Sequence, residues 1–439
     1  MQTINQQIKP VTTKINRSGN IEIGGCDLAD LAQKHGTALY IVCEQTLRGI
    51  AKQYQNAFSK YPKVKMTFAS KALMVSAIAR ILQSEGFGFD VCSGGEIYTV
   101  KNAGVDMADV TFNGNNKSRE ELELALDSGI GRVSVDNFYE IRLLGEIAAA
   151  RGVVQKIMLR ITPGIECHTH EYIQTGHLDS KFGFDLAQVD EAIAAVKNMK
   201  NLELVGIHAH IGSQIFETKV YHDEIEVLIK EIARIKEAHG IEISEMNIGG
   251  GLGITYIEAD APPSIFEIAD IIVSQIEKNV QKYGIEPPVL YIEPGRSIVG
   301  TAGVTLYTIG SSKQVPNGRK YIAVDGGMSD NPRPSMYGAE YTAELVHQKL
   351  TNTPEKVRIV GKHCESGDIL IDEIELNAPE AGDLIAFYNT GAYGYSMSSN
   401  YNRVLKPAMV LVNNAKSDII VKRETYEDLV RNDVVPDRL

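Results

Sequence analysis

The sequence has little of what disulfide-bonded, zinc-binding or membrane proteins need. Its 439 residues include five cysteines, which are scattered and form no CxxC pair, so neither a disulfide framework nor a cysteine-based zinc site is expected. No stretch reaches the roughly 18 consecutive apolar residues that a transmembrane helix requires. The segment Met1–Lys14 has no apolar run of the kind that a secretory signal contains. We therefore expect a cytoplasmic protein with no membrane partner and no metal.

An excess of positive charge is also absent. The chain carries 44 Lys and Arg residues against 56 Asp and Glu residues, which gives a formal net charge of −12. Nucleic acid is therefore not expected as a partner, because its phosphates would be repelled overall. The negative net charge does not exclude a local basic site for an anionic cofactor. The hydrophobic fraction of 44% is ordinary for a globular protein, and the length suits two domains.

What the sequence does contain is a repeated alternation of strand-like and helical segments. Eight short runs, rich in β-branched and aromatic residues, predict the strands Val64–Ala69, Phe87–Val91, Val110–Asn113, Arg132–Asp136, Lys156–Ile161, Val205–Ile211, Met246–Ile248 and Val289–Glu293. Helical periodicity predicts the intervening helices Val75–Glu85, Gly95–Asn102, Arg119–Leu126, Phe138–Arg151, Ala187–Met199, Asp223–His239 and Pro263–Lys282. Such an α/β pattern favours a closed (β/α)8 TIM barrel over the competing doubly wound open sheet, for which eight strands would be many.

The pattern changes after Ser297. Strands with few helices between them are predicted at Ala302–Ile309, Tyr321–Val324, Lys356–Val360, Asp383–Phe387 and Ala408–Val412. An early run, Ala38–Cys43, is surplus to an eight-stranded barrel and precedes an amphipathic helix, Gln45–Tyr61. We therefore predict a barrel of residues 44–298 inserted in a discontinuous, mostly antiparallel β domain of residues 1–43 plus 299–439.

Candidate reactive groups follow the predicted barrel strands, where the loops of such barrels carry the active site. Lys71 comes just past the first strand. A lysine in that place is usually a solvated surface residue, but a desolvated one can attack an aldehyde and form a Schiff base. On the sixth strand, His208 and His210 face the same side. Three roles stay open for this pair: zinc binding, a hydrogen-bonded histidine of the core, and an imidazole stacked on a flat ring.

The seventh and eighth strands lead into two candidate anion-binding segments. Gly249–Gly251 can expose backbone N–H groups to a phosphate, and Arg296 adds positive charge after the eighth strand. Barrels repeatedly bind phosphate with the loops after these two strands. Glu293, which a phosphate would repel, better suits a cation such as a protonated pyridine nitrogen. An aldehyde-reactive lysine, a ring-stacking imidazole, a phosphate site and this carboxylate together match pyridoxal phosphate.

At these residues the sequence closely resembles the fold-type III family of pyridoxal-phosphate enzymes, which includes alanine racemase and the ornithine, arginine and diaminopimelate decarboxylases. The resemblance runs from about Leu39 to Lys406. It implies that Lys71 binds pyridoxal 5'-phosphate covalently and that His210 stacks on the ring. It further implies that the cofactor is bound by Ser213, Gly249, Gly250, Gly251, Glu293, Gly295, Arg296 and Tyr393.

Segments of the predicted β domain resemble those of the diaminopimelate decarboxylases in particular. The run that contains Cys364 and Glu365 is similar to a loop that reaches the neighbouring subunit's active site, where ornithine decarboxylases typically carry Cys-Asp. Asp330–Ala339 resembles the segment that binds the substrate carboxylate, and Gly391–Tyr393 resembles a tyrosine segment that closes over cofactor and substrate. Cys167–Gly183 is similar to the long loop after the fifth strand.

The resemblance implies a homodimeric decarboxylase with shared active sites that converts meso-2,6-diaminopimelate to L-lysine and CO2, the last step of lysine synthesis. Cys364 would protonate Cα. The substrate-binding residues would be Arg296, Arg333, Tyr337, Glu365 and Tyr393. One alternative is a decarboxylase of ornithine, arginine or a polyamine precursor, against which the Arg333 and Glu365 segments argue because those substrates lack a distal carboxylate. A remote alternative is a non-catalytic carrier or regulator, although known carriers resemble a bare barrel.

Overall fold

The computed structural model describes residues 2–165, 180–348 and 353–439. The chain divides into two compact units. The first unit comprises Met1–Gln6, Arg48–Ile254 and Ala261–Ile298, and the second comprises Gln7–Leu47, Thr255–Asp260 and Val299–Leu439. Three short segments therefore fall in a different unit from the one expected from the sequence. Met1–Gln6 belongs to the barrel unit, whereas residues 44–47 and Thr255–Asp260 belong to the second unit.

The first unit is built on a closed barrel of eight parallel strands. In chain order, the first to eighth barrel strands are Val64–Ala69, Gly88–Val91, Val110–Phe112, Arg132–Val135, Gln155–Thr162, Leu202–His208, Glu245–Asn247 and Val289–Ile292. Each strand pairs in parallel with the next, and Leu290 of the eighth pairs with Val64 of the first, which closes the barrel. The predicted (β/α)8 barrel is therefore confirmed, and the open doubly wound sheet is wrong.

Helices follow the barrel strands. They are Ser76–Ser84, Gly94–Asn102, Arg119–Asp127, Phe138–Arg151, Val189–Lys197, Lys219–His239, Ile265–Tyr283 and Arg296–Val299. Local chemistry explains where they begin and end. Ser118 begins one helix by accepting a hydrogen bond from the Glu121 N–H, and Gly240 ends another in the left-handed conformation at φ 67°.

The second unit contains a nine-stranded sheet and a smaller three-stranded one. The strands of the larger sheet are Leu39–Cys43, Gly303–Gln314, Lys320–Val324, Ala343–Leu345, Pro354–Val360, Ile369–Asn377, Leu384–Tyr388, Ala408–Asn413 and Lys416–Val421. The smaller sheet consists of Lys14–Ile15, Ile21–Ile23 and Cys26–Asp27. Among the described residues, the α-helices of this unit are Leu28–His35, Arg333–Tyr337 and Tyr426–Val430. A further helix, Glu44–Ala57, begins in this unit and continues into the first unit at Arg48.

The pairing in the large sheet is mostly antiparallel, as predicted. Two pairs are parallel: Leu39–Cys43 with Ala408–Asn413, and Lys320–Val324 with Pro354–Val360. Every residue of Leu39–Cys43 is buried, and the strand pairs on its other side with Gly303–Gln314. The early segment of the chain is therefore a central strand of a sheet whose other strands follow the barrel in sequence, which confirms the discontinuous β domain.

Two kinds of feature are absent from the part of the chain that the structure describes. None of its helices is both long enough and apolar enough to cross a membrane. Within the same residues, no group of three or more His, Cys, Asp or Glu side chains is placed to hold a metal ion. The cytoplasmic location stays a prediction.

Candidate active site

Lys71 lies where the first barrel strand ends. A single turn, Ser70–Ala72, follows that strand, and within it the Lys71 side chain is exposed while both neighbours are buried. Burial lowers the pKa of His210, and the Lys71 ammonium lowers it further. Burial and the charge of Glu293 raise the pKa of Asp90, and the Lys71 charge acts against that rise. The lysine charge therefore acts on groups at the carboxyl ends of the second and sixth strands.

Glu293 directly follows the eighth strand, and its carboxylate is buried. Its Oε1 accepts a hydrogen bond from Asn247 Nδ2 at 2.6 Å and lies 3.5 Å from Asn113 Nδ2. Its Oε2 lies 3.4 Å from His208 Nε2. Burial alone would raise the pKa of this carboxyl, but His208 and Asn247 outweigh burial and lower it to about 2. The group is therefore a carboxylate at neutral pH and suits a cationic partner.

The two histidines have different surroundings. His208 ends the sixth strand, and its Nδ1 lies 2.8 Å from the Ser134 hydroxyl. His210 accepts a hydrogen bond at Nδ1 from the Gly250 N–H, with a distance of 3.2 Å. An accepting Nδ1 means that this imidazole is neutral with its proton on Nε2, in agreement with the lowered pKa. A neutral flat ring is suited to stacking on an aromatic cofactor.

The Gly249–Gly251 turn has no room for side chains. A Cβ at Gly249 would lie 2.5 Å from His210 Nδ1, and a Cβ at Gly251 would lie 2.6 Å from the carbonyl oxygen of Gly212. Both glycines also have positive φ, 62° and 104°. Two backbone N–H groups of the turn are already bonded, that of Gly249 to Asn247 Oδ1 and that of Gly250 to His210. The turn therefore shapes the site mainly by leaving space, rather than by offering all of its N–H groups.

A hydroxyl and a guanidinium lie side by side near this turn. Arg296 begins the short helix after the eighth strand, and its Nη2 donates to Ser213 Oγ at 3.0 Å. A Cβ at Gly295 would lie 3.0 Å from the Cβ of Ala69, so glycine allows this loop to pack on the end of the first strand beside Lys71. The Ala69 N–H also donates to the Pro294 carbonyl at 3.2 Å. The first unit thus brings the lysine turn and the basic loop together.

These groups fit pyridoxal phosphate. A primary amine is present for its aldehyde, a hydroxyl and a guanidinium for its phosphate, a neutral imidazole for its ring face, and an ionised carboxylate for its ring nitrogen. Space for the group is left by glycines at which a Cβ would collide with neighbouring atoms. Sequence reasoning missed three contributors to this arrangement, namely Asp90, Asn113 and Asn247.

Arg333, in the second unit, begins the helix Arg333–Tyr337 and is 7% exposed. Its Nη1 donates to the hydroxyl of Tyr256 at 2.9 Å and to that of Tyr341 at 2.8 Å. Burial alone would lower the pKa of the guanidinium, but the tyrosine oxygens raise it above its usual value, and Tyr393 acts in the same direction. The side chain is therefore a buried cation held by neutral groups. Tyr337 ends the same helix and is half-buried.

The loop that carries Cys364 and Glu365 is exposed and is held by hydrogen bonds to two neighbouring residues, Tyr401 and Asn402. The Cys364 N–H donates to Asn402 Oδ1 at 2.9 Å, and the Tyr401 hydroxyl donates to Glu365 Oε2 at 3.1 Å. The neighbouring His363 ring is buried and stacks on the Tyr401 ring with centroids 5.9 Å apart. The predicted proton donor and the predicted substrate-binding residue of this loop are therefore each held by a hydrogen bond, Cys364 through its backbone N–H and Glu365 through its side chain.

Asp368 anchors this loop through contacts of its buried carboxylate. Its carboxylate is buried, lies 2.7 Å from His363 Nδ1, and accepts the Met328 N–H at 2.7 Å. The Ser335 hydroxyl, on the Arg333 helix, donates to the Gly367 carbonyl of the loop at 2.8 Å. The second unit therefore brings the Arg333 segment and the Cys364 loop into contact. The resembling segment that begins at Cys167 lies largely outside the described residues, which stop at 165 and resume at 180.

Comparison with known proteins assigns the family. A family model described as "Pyridoxal-dependent decarboxylase, pyridoxal binding domain" matches residues 47–300. The chain is 48% identical to the diaminopimelate decarboxylase of Synechocystis sp., over 99% of this chain and 94% of that protein. It is 46% identical to that of Bacillus subtilis, over 96% and 97% of the two chains. The solved structure of diaminopimelate decarboxylase from M. jannaschii in co-complex with L-lysine superposes with a TM-score of 0.93, at 36% identity, covering 99% of this chain and 100% of that one.

The chain therefore belongs to the pyridoxal-dependent decarboxylases, and the predicted cofactor, pyridoxal phosphate, is confirmed. Within that family, the relatives that match it over nearly their full length are diaminopimelate decarboxylases. The resemblance predicted from the β-domain segments is thus confirmed as well. The roles of individual site residues stay predictions that rest on the geometry given above.

Proposed function

We propose that this protein removes the carboxylate from the D-configured centre of meso-2,6-diaminopimelate and releases CO2 and L-lysine. The observation that carries the proposal is the buried Arg333 guanidinium. Among the residues that the structure describes, no carboxylate pairs with it, and its two hydrogen bonds go to neutral hydroxyls through Nη1 alone. Its other N–H groups suit a carboxylate supplied by the substrate, because a guanidinium edge matches a carboxylate with two parallel hydrogen bonds.

The residues of the first unit support the chemical step. Bound pyridoxal phosphate supplies an electron sink for the pair left when the bond between Cα and the carboxylate breaks. Lys71 holds the cofactor through its aldehyde, and Ser213 with Arg296 binds its phosphate. Glu293, ionised and fixed by Asn247, holds a proton on the ring nitrogen, so the ring keeps its positive charge while the bond breaks. His210 covers one face of the ring as a neutral imidazole.

We propose that the second unit supplies the proton donor and, apart from Arg296 of the first unit, the substrate-binding residues. Arg333, together with Tyr337, Tyr393 and Arg296, binds the distal carboxylate. Glu365, held by the Tyr401 hydroxyl, binds the distal ammonium. Cys364 Sγ then delivers a proton to Cα, a contribution worth about 10²–10⁴ in rate. Ornithine and arginine, the substrates of the alternative decarboxylases, would leave the Arg333 charge unpaired.

The activity is tested with purified protein loaded with pyridoxal phosphate and given meso-diaminopimelate, L-lysine, L-ornithine and L-arginine in turn. We expect CO2 release from diaminopimelate with L-lysine as product, and no release by the Lys71→Ala variant. Arg333→Ala should reduce kcat/KM for diaminopimelate by up to about 10⁴, and any residual activity on lysine far less. Faster CO2 release from ornithine or arginine would overturn the proposed substrate.

We also propose a homodimer in which Cys364 and Glu365 serve the partner's active site. The exposure of this loop, and its resemblance to a loop that reaches a neighbouring subunit, support the arrangement. Mixing and re-equilibrating Lys71→Ala with Cys364→Ala protein should restore about a quarter of wild-type activity, because half of the dimers would be mixed and each would keep one intact site. Re-equilibrated mixtures that stay inactive would contradict shared sites. Cell fractionation would test the expected cytoplasmic location.

A further inference from the structure

We infer that Tyr256 and Tyr341 are positioning residues that give the enzyme its selectivity for a substrate with a distal carboxylate. This inference rests on the proposed function and adds two residues that the sequence did not point to. Both hydroxyls accept hydrogen bonds from one atom, Nη1 of Arg333, at 2.9 and 2.8 Å. Both tyrosines are buried, at 6% and 4% exposure.

The geometry leaves one edge of the guanidinium for a ligand. An arginine has five N–H groups in a rigid fork, and the two on Nη1 are used by the tyrosines. The Nε–H and Nη2–H groups form the other edge, which matches both oxygens of a carboxylate. The tyrosines therefore fix which edge of Arg333 is presented, before any substrate binds.

The two acceptors orient the guanidinium without neutralising it. A carboxylate in the place of either tyrosine would form an ion pair and use the charge that the substrate needs. Phenol hydroxyls instead raise the pKa of Arg333 while leaving the whole unit charge in place. The aromatic rings add a second neutral contact, since the guanidinium carbon lies 5.1 Å from the Tyr256 ring centroid and 5.8 Å from that of Tyr341.

The tyrosines are themselves held in place by each other and by their own segments. Their rings meet edge to face, with centroids 5.3 Å apart and planes at 85°. The Tyr256 N–H donates to Asp260 Oδ2 at 2.8 Å, and its carbonyl accepts from the Thr342 hydroxyl at 2.9 Å. Because Thr342 adjoins Tyr341 in the chain, the two tyrosine segments are joined by that bond. Two separate segments thus hold one guanidinium in place.

The test uses Tyr256→Phe and Tyr341→Phe, which keep the ring and remove only the hydroxyl. Each should lower kcat/KM for diaminopimelate about 3- to 10-fold, mainly through KM, because one hydrogen bond to Arg333 is lost. The effects of the two substitutions should be coupled, so the double variant should differ from their simple product, because the two tyrosines touch each other and share one guanidinium nitrogen. Residual activity on L-lysine, which brings no distal carboxylate, should not change. The ratio of the two kcat/KM values is therefore the decisive readout, since a general loss of structure would lower both.

Tyr388→Phe is the matched control, because it removes a tyrosine hydroxyl of the same unit that donates to Glu344 at 3.3 Å. A double-mutant cycle separates the possibilities: in the Arg333→Ala background, Tyr256→Phe should have no further effect on the ratio. If Arg333→Ala changes the ratio while both tyrosine variants match Tyr388→Phe, this inference is overturned and the proposed function stands. If Arg333→Ala leaves the ratio unchanged, Arg333 does not bind the distal carboxylate and the proposed function is overturned together with this inference.

Discussion

Glu293→Gln offers a quantitative test of how the barrel site works. The surroundings of Glu293 lower the pKa of its carboxyl from 4.5 to about 2. This difference corresponds to about 3 kcal/mol in favour of the charged form, at about 1.36 kcal/mol for each pH unit. Glutamine keeps the shape of the side chain and an oxygen that can still accept from Asn247, but it removes the charge.

We expect kcat for diaminopimelate to fall about 10²–10³-fold in Glu293→Gln, the range found when a preorganised charged or polar partner of a transition state is removed. KM should change much less, because the residues proposed to bind the distal end of the substrate are untouched. Steady-state CO2 release measures both constants, and the absorbance of the bound cofactor checks that the variant is fully loaded.

Glu224→Gln is the matched control for this substitution. Glu224 is another fully buried glutamate of the first unit, on the helix Lys219–His239, and neither of its side-chain oxygens has a hydrogen-bond partner among the described residues. It is not among the groups proposed to bind the cofactor, so its variant should keep wild-type kcat. A fully loaded Glu293→Gln enzyme with kcat within about threefold of wild type would refute the role given to the carboxylate.

Two further predictions concern stability. Burial raises the pKa of Glu224 well above 4.5, so its contribution to stability is fully present below the unfolded-state pKa and is lost as pH rises through the folded-state pKa. Glu224→Gln should therefore match wild type in thermal unfolding at about pH 4 and exceed it at about pH 9, and equal curves at both values would contradict this. Asp368→Asn removes the carboxylate that accepts hydrogen bonds from His363 and from the Met328 N–H. The free energy of unfolding should therefore drop by about 1–3 kcal/mol in urea titrations, and the rate of Cys364 alkylation should change. An unchanged unfolding midpoint together with an unchanged alkylation rate would show that Asp368 does not anchor the loop.

The barrel could be predicted because its signals are local. Strand and helix periods alternate eight times, and five of the eight strands begin or end at the predicted residue at one end at least. The sixth strand runs from Leu202 to His208 rather than from Val205 to Ile211, because the apolar alternation continues past the last ladder hydrogen bond into the loop. The short strand Ala343–Leu345 and the three strands of the smaller sheet were missed, and so were two longer strands of the large sheet, Ile369–Asn377 and Lys416–Val421. The two longer strands lie at opposite ends of the sheet, where exposed charged residues protect an edge and hide the strand pattern.

The candidate site was only partly predictable, for a related reason. Lys71, Glu293 and Arg296 stand directly after strands, so the barrel rule points to them. Asn247 and Tyr256 carry no such signal. Asn247 reaches Glu293 because the barrel places the seventh strand beside the eighth. Tyr256 belongs to the site because its hydroxyl contacts the guanidinium of Arg333, 77 positions later in the chain. Contacts of this kind depend on tertiary packing, which periodicity does not report.

The covalent site of the cofactor gives the most direct test of the whole account. The protein loaded with pyridoxal phosphate is reduced with borohydride, digested, and its peptides are examined by mass spectrometry. Reduction fixes the cofactor on the amine that holds it, independently of any assay of activity. We predict that the modified peptide contains Lys71 and that Lys71→Ala protein yields no stoichiometric modification. Stoichiometric modification of any other lysine would contradict the assignment of the active site to this end of the barrel.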